Sequence, residues 1–404
     1  MVSLLSEKKR VIVVGAGPVG LVTAARLGHA GIDVTVVEAD LTLSHALKAS
    51  TFHPPTLDML DEFGITSKLL DAGLKGSTWQ VRMHATGEFA QFDLSALRND
   101  TSHPYRLQVE QWRLVELMLD HIKTRLPGVE VLMGHKCVAV DQTPDEASVT
   151  VELADGERKI LSGSFVVAAD GARSAIRQLL DLPFEGLTFP EATILVLTDT
   201  DFKRHIPDLS NVNYCWSEQG TFSLLKLVNR WRVSLYPWEG ESLEEALEPQ
   251  SIEAKLQLIA PQNQPYRVME IRPYRIHQRV VNNYVHGRIA LAGDAAHINS
   301  PSGGMGMNGG IHDAFNLSDK LRRIYAGESM ALLELYDRQR RPIAIKHVLE
   351  QSGRNRARMQ EGDKEKRQQI LRDLKLKAEN PEKAYAYLLE TSMIAGLRES
   401  ASIV

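Results

Sequence analysis

Residues 9–40 read "KRVIVVGAGPVGLVTAARLGHAGIDVTVVEAD". Two apolar, β-branched runs, 11–14 and 34–37, flank a helical pattern in which Leu21, Ala24, Ala25 and Leu27 keep small and apolar groups on one face. Gly31 closes that helix in the usual C-terminal manner. The spacing predicts a βαβ unit, with Gly15, Gly17 and Gly20 forming G-x-G-x-x-G at its first turn. Gly15 permits the tight turn, Gly17 lets backbone approach a pyrophosphate, and Gly20 lets helix pack against strand. The helix N-terminus adds a partial positive charge for the phosphates. Glu38 ends the second strand eighteen residues after Gly20, where a carboxylate accepts hydrogen bonds from ribose hydroxyls. Strands, helix and acid together predict dinucleotide binding, and the motif alone leaves NAD and FAD open.

The continuation favours FAD, because no alternating βαβα series follows. An irregular stretch with Pro54 and Pro55 comes next, then a helix over 111–125, then β-rich sequence. "ASVTVELADGERKILSG" (147–163) is a hairpin signal with Asp155-Gly156 at its turn. It leads into "FVVAADGARSAIR" (165–177), an apolar strand ending in Asp170-Gly171 at an edge suited to a ligand. Further on, "GDAAHINSPSGGMGMNGG" (293–310) places five glycines between Gly303 and Gly310, directly before an amphipathic helical pattern. Such a cluster weakens the chain locally unless something approaches it closely.

Composition narrows the classes. A chain of 404 residues, 43% hydrophobic, suggests two or three domains or one large α/β unit with an inserted layer. Its formal charge of −4 gives no reason to expect nucleic acid. The tract "DKEKRQQILRDLKLK" (363–377) interleaves acids and bases, as a solvated helix face does. No apolar run approaches the roughly eighteen residues of a membrane span, and "MVSLLSEKKR" lacks the h-region of a signal peptide. Cys137 and Cys215 are too few and too far apart for a disulfide framework or a cysteine-rich zinc site, so no metal and a cytoplasmic location are expected.

G-x-G-x-x-G with Glu38, then "AADGARSAIR" (168–177), then "GRIALAGDAAH" (287–297) with the glycine-rich run, resemble the single-component FAD-dependent aromatic hydroxylases, the p-hydroxybenzoate hydroxylase class of flavoprotein monooxygenases. The resemblance runs from residue 10 to about 345, ending in "LYDRQRRPIA". It implies an α/β fold with α+β elements: a Rossmann-like FAD-binding domain, an inserted β-sheet substrate domain and a C-terminal helical segment. FAD-binding parts are expected at 8–75, 109–188 and 279–350, substrate-domain strands at 76–108, the substrate sheet at 189–278, and helices at 351–404, where "PEKAYAYLLETSMIAG" reads as helix.

The resemblance also implies roles. The backbone at Val19 would meet the pyrophosphate, Glu38 the adenosine ribose with Ala39 beside it, and Gln111 the ribityl chain. Val138, in the strand expected from "VEVLMGHKCVAV" (129–140), would hold adenine through its backbone. Asp170 would serve the pyrophosphate and the passing nicotinamide cofactor, Asp294 a ribityl hydroxyl or phosphate-side group, and Pro301 the oxygen-reactive face of the flavin. Gly304, Gly306, Met307 and Asn308 would present backbone N–H groups and the positive end of a helix to the reduced, anionic ring. One position departs from the family: "LKAST" (47–51) has Lys48 where relatives commonly carry an arginine, keeping the charge without the planar fork.

The implied activity is hydroxylation of a small aromatic or heteroaromatic ring by O₂, with NADH or NADPH as reductant and a flavin C4a-hydroperoxide delivering the oxygen. Aromatic strands "VNYCWSE", "TFSLLKLV" and "RWRVSLYPW" offer a lining for a planar substrate. Alternation puts Tyr214 with Trp216 on one face, and Arg232, Ser234 and Tyr236 on one face, and leaves open which face meets the flavin. Phe222 joins these, with Arg82 and His84 from "VRMHATGE" (81–88). His297 reads as part of a structural turn more than as a base. Alternatives on this fold are a flavin reductase or a halogenase, although no Trp-x-Trp-x-Ile-Pro stretch occurs. Another is a redox sensor that binds FAD without catalysis.

Overall fold

Val11–Val14 and Val34–Val37 are buried along their entire length, as parallel strands covered on both faces must be. In the computed structural model, which describes residues 10–46 and 48–404, they pair in parallel with Val11 opposite Val34. Residues 8 and 9, the start of the first expected FAD-binding part, lie outside the described residues. Helix Pro18–His29 makes the crossover. Gly15 sits at φ +105°, and a Cβ there would stand 2.4 Å from the Ala169 carbonyl oxygen. A Cβ on Gly20 would fall 1.9 Å from the Gly15 carbonyl oxygen, so helix and strand meet at a distance only glycine allows.

The sheet has six strands in the order 285–286, 289–291, 165–168, 11–14, 34–37, 129–132, parallel except at the 285–286 edge. The hairpin of Ala147–Glu152 and Arg158–Gly163 forms as expected and is joined by Lys136–Gln142 in a three-stranded sheet. Two expectations need correction. The run 129–140 is not one strand: Val129–Leu132 completes the parallel sheet and Lys136–Gln142 belongs to the other. Pro54 and Pro55 do not mark irregular chain but open the helix Pro54–Leu60, whose first turn needs no N–H from them.

A second, eight-stranded sheet gathers segments from across the chain in the order 297–298, 268–281, 184–198, 230–235, 220–227, 212–217, 78–83, 89–93. One end is packed by the C-terminal helices: Leu371, Leu374, Leu388 and Ile394 bury themselves with Trp79, Phe92 and Trp216. Helix Lys364–Glu379 therefore has an apolar face beneath its mixed charges. No helix among the described residues is long and apolar enough to cross a membrane.

Candidate active site

The carboxyl ends of the parallel strands are where ligands bind in open α/β sheets. Here they floor a cleft of about 930 Å³, with the eight-stranded sheet as its opposite wall. At the nucleotide end, the Ala16 N–H donates to Glu38 Oε2 at 2.8 Å and the Asp40 N–H to Oε1 at 3.0 Å. Those bonds orient the carboxylate and leave lone pairs for ribose hydroxyls. Gly15, Gly17, Val19 and Ala39 line the same end, and a Cβ on Gly17 would meet nothing within 4 Å. Gly20 lies beneath, as its packing role requires. Val138 is not in the lining: the break in the 129–140 run turns the chain so that Lys136 and Cys137 face the cleft instead.

Asp170 follows the buried strand Phe165–Ala168. Its Oδ2 accepts from the Ile176 N–H at 3.1 Å, while Oδ1 is buried without a protein partner. Burial pushes this carboxyl above the ordinary range, with bonds from Ser174 and Ile176 opposing. Asp294 opens onto the cleft, although deep inside it. Enclosure by protein raises its carboxyl, and His297, Lys48 and Arg177 pull it back. Lys48 thus shares the cleft with Asp294, as does Gln111 at the start of helix Gln111–Arg125.

These residues fit FAD. An orphaned carboxylate oxygen at Asp170, open space above Gly17 and an oriented Glu38 stand in a row along one cleft. Glu38→Ala or Asp294→Ala is expected to weaken FAD binding by about 1.5–3 kcal/mol, the worth of hydrogen bonds to a charged group. That is roughly 10- to 100-fold in Kd, read by titrating apoprotein with FAD. Unchanged affinity in both variants would reject the assignment.

The glycine-rich loop borders the middle of the cleft through Pro301, Gly304, Gly306 and Met307. The Pro301 carbonyl accepts from the Gly304 N–H at 3.0 Å, closing a tight turn before helix Gly306–Tyr325. The first N–H groups of that helix have no intrahelical partner. Asn308 does not reach the cleft. It is fully buried, accepts from the His53 N–H at 2.9 Å, and donates to the carbonyls of Thr51 and Gly304 at 2.8 and 2.7 Å. Its amide clamps the loop onto strand Thr51–Phe52.

Behind the loop lies a buried ionic cluster. Asp313 accepts from Arg340 Nε at 2.7 Å, from the Gly293 N–H at 3.1 Å and bonds His297 Nε2 at 2.8 Å. Burial alone would raise the Asp313 carboxyl, but Arg340 and His297 outweigh it and hold it at about 2. His297 is committed to this cluster and does not line the cleft. Arg177 joins the second motif to the third by donating to the Ala295 carbonyl at 3.0 Å and to the Ala172 carbonyl at 2.7 Å. Arg177, Asp313 and Arg340 lie within or beside the quoted motifs, but only the fold shows what they bond.

Burial lowers His312 to about 3, with Arg340 adding to the effect, so it folds neutral against Thr56 Oγ1 at 3.0 Å. A base depressed below its unfolded value of about 6.5 stabilises fully above that pH, and the contribution is lost as pH falls towards 3. The acid limb of melting temperature against pH is expected to flatten between about 6.5 and 4 in His312→Gln. An unchanged limb would remove this histidine from the acid response.

The part of the cleft under the eight-stranded sheet, where the expected substrate residues fall, is set by strand parity. Tyr214, Ser223, Leu225, Arg232, Ser234 and Tyr236 share the cleft face of the eight-stranded sheet, with Leu195, Arg272 and Tyr274 from its long central strands. Arg232 Nη1 donates to Ser50 Oγ at 3.0 Å, and its Nε has no protein partner. Burial raises the Tyr236 phenol, with Tyr274 beside it, so it remains a donor at neutral pH. Phe222 touches the cleft from the opposite core, where it packs with Cys215 and Trp231.

Three expected lining residues lie elsewhere. Trp216 shares the Tyr214 face, but the C-terminal helices cover it and its Nε1 donates to the Arg358 carbonyl at 3.1 Å. Arg82 is 3% exposed and spends its guanidinium on Gln80 and the carbonyls of Pro207 and Asp208. His84 stands edge-on to Phe222, outside the cleft.

Comparison with known proteins agrees with this geometry. A family model described as FAD binding domain matches residues 8–351. The chain is 34% identical over 396 residues to para-nitrophenol 4-monooxygenase of Pseudomonas sp. (strain WBC-3), covering 96% of each. It is 33% identical over 354 residues to 6-hydroxy-3-succinoylpyridine 3-monooxygenase HspB of Pseudomonas putida (strain DSM 28022 / S16), covering 85% of this chain and 87% of the other. The crystal structure of p-nitrophenol 4-monooxygenase PnpA from Pseudomonas putida DLL-E4 superposes with a TM-score of 0.89 at 30% identity, covering 96% of this chain and 98% of that one. A cleft built for FAD, a sheet face suited to an aromatic ring and these relatives lead to one conclusion: the chain belongs to the FAD-dependent aromatic hydroxylases.

Proposed function

We propose that this monooxygenase hydroxylates a single-ring phenol or hydroxypyridine bound as its anion. One observation carries the reading. The eight-stranded sheet presents to the cleft Arg232, which forms no salt bridge among the described residues, and Arg272, which is paired with Glu270, whereas the carboxylates of the lining, Glu38, Asp40, Asp170 and Asp294, all follow the parallel strands. A cation with an unsatisfied N–H favours the ionised form of a phenol and lowers its pKa. Ionisation makes the ring electron-rich, which oxygen transfer requires, without a protein base close by. The named relatives act on a nitrophenol and a hydroxypyridine, both of this class.

FAD, reduced by NADH or NADPH, supplies O₂ activation and transfer of one oxygen atom to the ring. The protein positions both partners. Glu38, Asp170, Gln111 and Asp294 would hold the cofactor along the cleft, and Pro301 with the Gly304–Met307 backbone would border the flavin ring. Tyr214 and Tyr236 flank the substrate, with Tyr236 donating a hydrogen bond and Arg232 fixing the anion. The parallel-sheet segments thus serve FAD, and the inserted sheet serves the substrate. Two free, buried cysteines suit a reducing compartment such as the cytoplasm.

The test is NADH and NADPH oxidation by the FAD-loaded enzyme, screened over phenols, hydroxypyridines and hydroxyphenylpropionates. A substrate is expected to accelerate oxidation and yield hydroxylated product. Acceleration by none of them, or peroxide as the sole product, would overturn the reading.

A further inference from the structure

A second, smaller cleft of about 240 Å³ lies against the substrate end of the first. Thr221, Phe222, Tyr236 and Met359 line both and stand at the partition. The volume is below the roughly 300–1,000 Å³ of pockets that hold drug-sized ligands. It suits a single ring in transit better than a dinucleotide.

The walls have the chemistry of a passage. Pro237, Trp238 and Leu258 give an apolar side, with Leu258 left 48% exposed. Arg367 is 9% exposed, donates to the carbonyls of Ser217 and Glu361 and forms no salt bridge among the described residues, so it leaves a positive charge in the wall, held by carbonyls. Lys255, by contrast, is paired with Glu241. A positive charge in the wall favours the approach of an anionic phenol over that of a cation. The partition joins a sheet residue to a residue at a helix end, both buried, Met359 at 6% exposed. Phe222 is 3% exposed and fixed in the sheet core. Met359 is unbranched, conformationally adaptable and one residue from the end of helix Glu350–Gln360. Gly362 follows in the connection to helix Lys364–Glu379, and a Cβ there would meet nothing within 4 Å.

We propose that this smaller cleft is the route by which the aromatic substrate enters and its product leaves, with Met359 moving against Phe222 as the constriction. The inference rests on the substrate reading above. It places the organic substrate's traffic away from the cofactor cleft, at the junction of the inserted sheet and the C-terminal helices.

Gly362→Phe puts a ring into the passage from a position that touches neither FAD nor the substrate site. Stopped-flow binding of 4-nitrophenol to the FAD-loaded enzyme is expected to show on-rate and off-rate both reduced about tenfold with Kd nearly unchanged, the signature of an obstructed path. Gly362→Ala is expected to match the wild type, and Met359→Ala to raise both rates. Wild-type rates in Gly362→Phe would overturn the passage. So would a raised Kd at an unchanged on-rate, which would mean contact with bound substrate. A wild-type enzyme that turns over no phenol or hydroxypyridine would overturn the substrate reading and the passage with it, a result distinct from either rate outcome.

Discussion

Asp313→Ala is expected to destabilise the folded chain by about 3–5 kcal/mol, the cost of leaving a buried charge without its partner. Arg340 is 1% exposed and His297 is 1% exposed, so neither finds water once the carboxylate is gone. The Gly293 N–H loses its acceptor as well. Those losses fall on the turn that carries Asp294, so the FAD affinity of the surviving folded fraction is expected to drop in parallel. The carboxyl is held at about 2, below its unfolded value. Its contribution is therefore complete above about pH 4 and disappears as pH falls through 2. At neutral pH the full effect is present. Urea unfolding at pH 7 with FAD titration checks both parts, and an unfolding free energy within about 1 kcal/mol of wild type would remove the cluster from the stability argument.

Gly304→Val is expected to give the second large effect, centred on the cofactor. Gly304 has φ +69°, a region where a β-branched residue is strained by about 1–3 kcal/mol. A Cβ there would also stand 2.9 Å from Thr51 Cβ. Relief requires the loop to lift from strand Thr51–Phe52, breaking the clamp that Asn308 makes between Gly304 and Thr51. The helix start then moves relative to the cleft. FAD occupancy should fall at least tenfold, and the flavin that remains should be reduced more slowly and at a lower potential. Occupancy is read from flavin absorbance and the potential from dye-coupled reduction. Equal potential and equal rate at full occupancy would mean that the glycines serve loop conformation alone.

The structure adds a second reason for these glycines. From the sequence, close approach to a flat ring accounts for the cluster. In the fold, Gly304 is required by its dihedral and by Thr51, and the would-be Cβ of Gly306 meets Asn299 Oδ1 at 2.7 Å. The loop has that shape because it is tied to a strand roughly 250 residues earlier in the chain, through a bond from His53 as well as from Asn308.

What the sequence determined by itself was everything that local periodicity and short spacing encode. The βαβ unit with Glu38, the helix Gln111–Arg125, the hairpin after residue 147 and the strand that ends before Asp170 follow from patterns adjacent in the chain, whereas Asp294 was named for the cofactor through the resemblance of its motif. Each such residue sits at the end of its own strand, so its position is known once the strand is. The substrate side had no such anchor. Alternation placed Arg232 and Tyr236 on a common face, but which face meets the cleft depends on how the eight strands pair across 220 residues. Trp216 obeys the same parity as Tyr214 and is nonetheless core, because helices from the far end of the chain cover it. Arg82 was read as a ligand-facing cation and is consumed by carbonyls of a loop some 125 residues away. Only the tertiary structure decided these, since burial and hydrogen-bond partners at such separations are properties of the packed chain and leave no periodic trace in the sequence.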